Sequence, residues 1–336
     1  MANNSSADVE EIVPFGWDSI FAATVTLIVA VVGLVVYMLF NIIVVVTSEY
    51  RQNSYYLLAV TLGYLDCLTL VGMILFSVPS ILLQEPFGGH QANRWVGVVL
   101  NIGWYGSLPT ICCLAFNRYY CVCRREDYKT TFSLRNTKFM MAGCVGYGLC
   151  YCNIQVSPCC DGAFLFYPTS YGWAWDTSQW GGFVMNYVEV TQVISVVIIA
   201  TVCNTKVFLS YKRMHNAIED GNATDAKAEA VRREREYKLF VQFFVIVMYM
   251  IFFDLVFVTA PFITTNKWAG LLITFMYLIQ CSINGYVYVG MNKNLRKRIW
   301  ESFGCMKRQD DNNDTLASRL KSKTSRHQGL SSVARD

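Results

Sequence analysis

Long apolar runs and short polar, mostly basic segments alternate along this chain. The runs lie near 20–46, 56–82, 96–122, 138–157, 183–206, 238–262 and 268–291. Each reaches about 20 residues or more, the length that crosses about 30 Å of hydrocarbon as a helix. The pattern predicts an all-α membrane protein, a seven-transmembrane helix bundle. Asn153 and Gln155 weaken the fourth run, and only Thr264–Lys267 separates the last two. Beyond residue 291, Leu295, Ile299, Trp300 and Phe303 recur at helical spacing with Lys and Arg opposite. That predicts a short amphipathic eighth helix lying in the membrane surface. The expected organisation is an N-terminal tail over 1–19, the bundle over 20–291, the surface helix over 292–305 and a disordered tail over 306–336.

Composition agrees with this. Apolar types are 54% of the 336 residues and charged types 15%, where a soluble domain carries about 25% charged. The start, Met1–Trp17, is acidic and lacks the basic, short-cored pattern of a cleaved signal, so the first run is expected to serve as signal anchor. Orientation follows from the basic residues. With the N-terminus outside, only Arg94 and Lys267 of the 28 Lys and Arg fall on the outer side. The positive-inside rule therefore predicts N-terminus outside and C-terminus inside. Asn3 and Asn4 then become candidate glycosylation sites, and Cys305 a candidate for palmitoylation. Net charge is only +4 and the charges sit between apolar runs, so no nucleic-acid face is presented. Most of the 13 cysteines lie within apolar runs, where they act as small packing residues. His90, His215 and His327 all lie in loops or the tail. No metal site, cofactor or enzymatic constellation is expected.

Polar side chains within apolar runs are expensive. Asn41 falls in the first run, Asp66 in the second, Asn117-Arg118-Tyr119 at the foot of the third, and Asn284 with Tyr288 in the seventh. Together these resemble the signature of rhodopsin-like G-protein-coupled receptors over about residues 20–305. There the Asn, the Asp and the Asn-Pro-x-x-Tyr form one polar network, and the (Asp/Glu)-Arg-Tyr arginine meets the G protein. Two positions depart. Asn117 replaces the acid, and Gly285 replaces the proline. The sixth run lacks a Trp–Pro pair, and no cysteine stands at the outer end of the third. Asn117-Arg118-Tyr119, the stretch 236–242, Pro158-Cys159-Cys160 and Trp173-Ala174-Trp175 are similar to the nematode chemoreceptors. Serpentine class X is the nearest, with sister classes such as W or T as alternatives.

The resemblance implies a chemosensory receptor that binds a small molecule in an outer cavity and activates a heterotrimeric G protein through Arg118. Asn101, Trp104 and Tyr105 on the third span, Glu189 on the fifth and Asp254 on the sixth are the candidate ligand contacts. Glu236 lies 18 residues before Asp254, five helical turns on one face, and is the expected restraint on Arg118. Without an acid at 117, Arg118 is expected to be held from the sixth helix or hardly at all. The resemblance also implies a multi-pass plasma-membrane location, in sensory cilia, with kinases or arrestin acting on the tail hydroxyls. The alternative is a seven-span ligand-gated channel or a transporter. The basic-residue count opposes an N-inside channel, and no repeated halves suggest a transporter.

Overall fold

In hydrocarbon a backbone must satisfy its own hydrogen bonds, so apolar runs of this length become helices. The computed structural model describes residues 16–156, 163–176, 180–219, 237, 240–241, 244–257, 259 and 266–302. The helices are α1 (Trp17–Val46), α2 (Ser54–Leu83), α3 (Gly89–Cys123), α4 (Leu134–Val156), α5 (Trp180–Glu219), α6 (Phe244–Phe257), α7 (Lys267–Met291) and α8 (Lys293–Ser302). Five of them (α1, α2, α3, α5 over Tyr187–Arg213, and α7) are long and apolar enough to cross a membrane. The described part of α6 is a shorter apolar helix. α4, which includes Arg135, Lys138, Asn153 and Gln155, is not among the five.

Local chemistry sets several boundaries. Asn53 caps α2, its side chain accepting from the Tyr55 N–H at 3.0 Å. Gln84 and Gly88 both adopt left-handed backbone and turn the chain from α2 into α3. α3 starts at Gly89, earlier than its hydropathy suggests. α5 is the larger correction. Its apolar run ends near 206, yet the helix continues to Glu219. No Gly or Pro interrupts 183–219, and a nucleated helix propagates through residues such as Lys, Arg and Met. Within α2, Met73–Ser77 forms a π-helical turn just before Pro79. Such bulges accommodate local strain and re-aim side chains.

α3 packs against α2, α4 and α5, while α1 packs against α7 and α2. α6 meets α3 through Trp104 and Phe253, ring centroids 6.3 Å apart, and α7 through the Tyr249 hydroxyl, which donates to the Met276 carbonyl at 2.9 Å. At the Arg118 end, Val122, Val207 and Phe240 form an apolar cluster ringed by Tyr119, Cys123, Tyr211 and Val241. The opposite surface of α1 stays open. Phe21, Ile28, Val35 and Ile42 recur every seven residues and are all exposed, a stripe suited to lipid.

The fold is not purely helical. Phe164–Tyr167 (β1) and Gly172–Trp175 (β2) form an antiparallel hairpin, with Phe164 opposite Trp175 and Phe166 opposite Trp173. Strands of four residues are too short for a hydropathy window to find. The hairpin closes the bundle end opposite Arg118. Two glycines let its backbone approach. A Cβ on Gly97 of α3 would lie 1.9 Å from the Phe164 carbonyl oxygen, and one on Gly270 of α7 would lie 1.9 Å from that of Ser170. Only a residue without a side chain permits such contacts.

The chain divides into two compact units, Met1–Met291 and Asn292–Asp336. In the second, the Asn292 side chain accepts from the Leu295 N–H at 3.1 Å and starts α8, and Lys297 pairs with Glu301 at 3.7 Å.

Candidate functional site: a capped cavity and a buried polar column

The hairpin forms the roof of a cleft enclosing about 450 Å³ of empty space, mouth included. Asn101 and Trp104 of α3, Glu189 of α5, Asp254 of α6 and Tyr277 of α7 line it from the helices, and Phe164 and Trp173 from the hairpin. Four of the five sequence-nominated ligand contacts therefore share one cavity. Tyr105 does not. It is fully buried and stacks on Tyr151 of α4, with centroids 4.6 Å apart and planes at 19°. Adjacent helical residues point about 100° apart, so Trp104 faces the cavity and Tyr105 faces α4.

The roof is tied down at several points. Asn93 at the start of α3 acts like a paired strand. Its Nδ2 donates to the Phe166 carbonyl at 2.9 Å, and its Oδ1 accepts from the Phe166 N–H at 2.8 Å. Trp173 donates from Nε1 to Ser77 Oγ at 3.0 Å, reaching the π-helical turn of α2. Thr274 of α7 donates to the Tyr171 carbonyl at 2.8 Å. Trp175 donates from Nε1 to Glu189 Oε2 at 2.5 Å. The hairpin is thus fixed to α2, α3, α5 and α7. Cys159 and Cys160 of the Pro158-Cys159-Cys160 motif lie outside the described residues.

Below the cavity floor, Trp104 and Tyr277 also line a second, smaller void of about 280 Å³ with Asp66, Ser107, Gln280 and Asn284. Asp66 is its polar centre. It accepts from the Tyr37 hydroxyl of α1, and from Asn284 Nδ2 of α7 at 3.3 Å. Asn41 lies nearby, Nδ2 at 4.0 Å from Cys67 Sγ. Gly285 sits where the family signature has proline. A Cβ there would meet the Tyr37 ring at 3.3 Å, so the position lets α1 and α7 close on each other. One turn on, Tyr288 stacks on Phe40 (4.9 Å) and meets Tyr55 edge-on (6.1 Å).

Tyr55 leads to the arginine. The Arg118 guanidinium carbon lies 3.5 Å from the Tyr55 ring centroid, and the residue is 5% exposed. It does not snorkel into solvent; its charge rests on an aromatic face of α2, an attraction of about 1–2 kcal/mol when desolvated. Tyr55 brings α2 into the surroundings of Arg118, which the sequence did not point to. Glu236 and Glu234 lie outside the described residues. Asn117 turns away from the arginine. It is fully buried, donates to Ser54 Oγ at 2.9 Å, and reaches the Tyr128 hydroxyl at 3.5 Å in the short helix Arg125–Thr131. Tyr119 packs beside the α3–α5 cluster, with Lys206 Nζ 5.7 Å over its ring. Asn3, Asn4 and Cys305 fall outside the described residues.

A model of the serpentine type 7TM GPCR chemoreceptor family Srx matches residues 27–292. The chain belongs to that family. It is a G-protein-coupled receptor, and its fold is that of rhodopsin-like receptors. The crystal structure of squid rhodopsin superposes on it with a TM-score of 0.71, covering 88% of this chain and 89% of that one at 16% identity. Family and fold are those of receptors rather than enzymes.

The sequence did not single out Tyr37, Ser54, Tyr55, Asn93, Tyr128 or Tyr277 in this receptor, and it marked Trp175 only within the Trp173-Ala174-Trp175 motif. Tyr37 stands out only as a hydroxyl in an apolar run. Asn93 lies at the outer end of the third run, which was notable in the sequence only for lacking a cysteine. The rest carried no local signal, since their partners lie on other helices.

Proposed function

We propose that this receptor spans the plasma membrane of a sensory cell seven times, with its N-terminus outside. A small molecule enters the hairpin-capped cavity, and the bundle answers by freeing Arg118 for a heterotrimeric G protein. The observation that carries this reading is a continuous buried column. Trp104 and Tyr277 line both the ligand cavity and the void that contains Asp66 and Asn284. Tyr288 and Tyr55 then continue from that void to Arg118. A ligand can shift such a bundle only by binding one arrangement better, and coupling of about 1–3 kcal/mol suffices for a graded switch.

The orientation rests on the basic residues, which gather at the Arg118 end in Arg124, Arg125, Lys129 and Arg135. Asn117 supports the coupling role. It holds the Arg125–Thr131 helix against Ser54, so movement of the foot of α3 would move the loop that a G protein meets. α8 would lie on the inner leaflet and the tail beyond it would receive kinases and arrestin. Substituting Arg118→Ala should abolish G-protein activation while leaving surface expression intact. Undiminished signalling from that variant would remove the assignment.

A further inference from the structure

The capped cavity carries two carboxyl groups, from Glu189 and Asp254, and none of its described lining residues is Lys, Arg or His. The two acids are not equivalent. Glu189 already accepts from the roof tryptophan, Trp175. Asp254 Oδ2 is buried and has no hydrogen-bond partner among the described residues. A third polar group is in the same position. Asn101 is 3% exposed, lines the cavity, and its Nδ2 has no acceptor among the described residues. Buried polar atoms without partners are costly and ordinarily meet something. Here an acceptor oxygen and a donor nitrogen belong to residues that line one empty space. The walls between them are aromatic: Trp104 meets Phe253 and Tyr277 edge-on at 6.3 and 5.8 Å, and Phe253 stacks on Tyr277 at 5.9 Å. Aromatic faces attract cations, most strongly where water is excluded.

We propose that the cavity selects a small organic ammonium that also carries a hydrogen-bond acceptor. The ammonium donates to Asp254, with Glu189 as the second anion and the aromatic faces around it. The acceptor, a hydroxyl or ether oxygen, takes the hydrogen bond from Asn101 Nδ2. A carboxylate-bearing ligand is rejected, because it would set a further acid beside Asp254 and Glu189 with no Lys, Arg or His among the described lining residues to meet it. The proposal rests on the reading of this cavity as the ligand site, but its test is a binding measurement that does not depend on G-protein coupling.

The full-length receptor, purified in lipid nanodiscs, would be melted with each of three molecules of one shape. These are 2-amino-1-phenylethanol, 1-phenyl-1,2-ethanediol and mandelate, which present an ammonium, a neutral hydroxyl and a carboxylate. The amine should raise the melting temperature in a saturable manner, and the diol and mandelate should not. Asp254→Asn should weaken the amine by about tenfold or more, the cost of a charge-assisted hydrogen bond, and Glu189→Gln by less. Asn101→Leu should lower affinity for the amine alcohol but not for 2-phenylethylamine, which lacks the acceptor. Equal stabilisation by the diol or mandelate, or none by the amine, would overturn the proposal, as would an Asp254→Asn receptor that binds the amine like the parent. The selectivity of the parent receptor carries the test even if a variant fails to fold. If the amine binds selectively yet no G protein responds, the ligand class stands and the coupling mechanism falls.

Discussion

Replacing Asn93 by Ala should loosen the roof of the cavity and little else. The side chain makes two hydrogen bonds, to the carbonyl and the N–H of Phe166, at 2.9 and 2.8 Å. Both ends are buried, Asn93 at 2% and Phe166 at 1% exposure. Alanine leaves two backbone groups unsatisfied, each costing about 1–3 kcal/mol. The hairpin is also held by Thr274, by Trp173 on Ser77 and by Trp175 on Glu189, so it should not detach. Its opening free energy should fall by about 2–4 kcal/mol, allowing for partial relaxation. At 1.4 kcal/mol per factor of ten, that is roughly thirty- to several-hundredfold faster exchange. Hydrogen exchange followed by mass spectrometry on the receptor in nanodiscs reads this directly. Peptides covering 163–176 should lose protection while those from the lower half of α3 keep theirs. A change below about threefold would mean that the paired hydrogen bonds do not hold the hairpin, and the account of the roof would be wrong.

Other consequences can be checked separately. Gly97→Val should be more severe than Asn93→Ala, because a Cβ there collides with backbone at Phe164; hairpin protection should vanish, and an unchanged exchange pattern would contradict the close approach. Tyr55→Leu removes the ring under Arg118, and losing about 1–2 kcal/mol of cation–π attraction should raise basal G-protein activation several-fold in a cell-based assay, with Tyr55→Phe near the parent. Tyr37→Phe removes the hydroxyl that donates to Asp66; leaving a buried polar group without its partner costs about 1–3 kcal/mol, so the thermal midpoint should drop while the surface-expressed fraction still reaches the membrane. Asn117→Asp keeps the shape but loses the N–H donors to Ser54 and Tyr128; G-protein activation should fall, and an unchanged level would argue that Asn117 does not position the loop.

The sequence by itself determined the apolar runs that become helices, the amphipathic spacing of α8, and which residues are too polar for their surroundings. Those are properties of single segments, fixed by local period and by the cost of burying charge. Asp66, Asn284, Glu189 and Asp254 could be nominated because each is anomalous where it stands. The hairpin left no comparable trace, since eight residues in two strands are stabilised by what they dock against: Gly97, Gly270 and Asn93 are unremarkable until a backbone lies across them. Tertiary structure also decided direction. Trp104 and Tyr105 are neighbours in sequence, yet one lines the cavity and the other packs on α4. Arg118 stood out as a cation at the foot of an apolar run, and its burial came only with the fold. That its charge rests on Tyr55 of α2, with Asn117 turned to Ser54 and Tyr128, depends on how the foot of α3 and the short helix after it meet the start of α2, and no local pattern encodes that meeting.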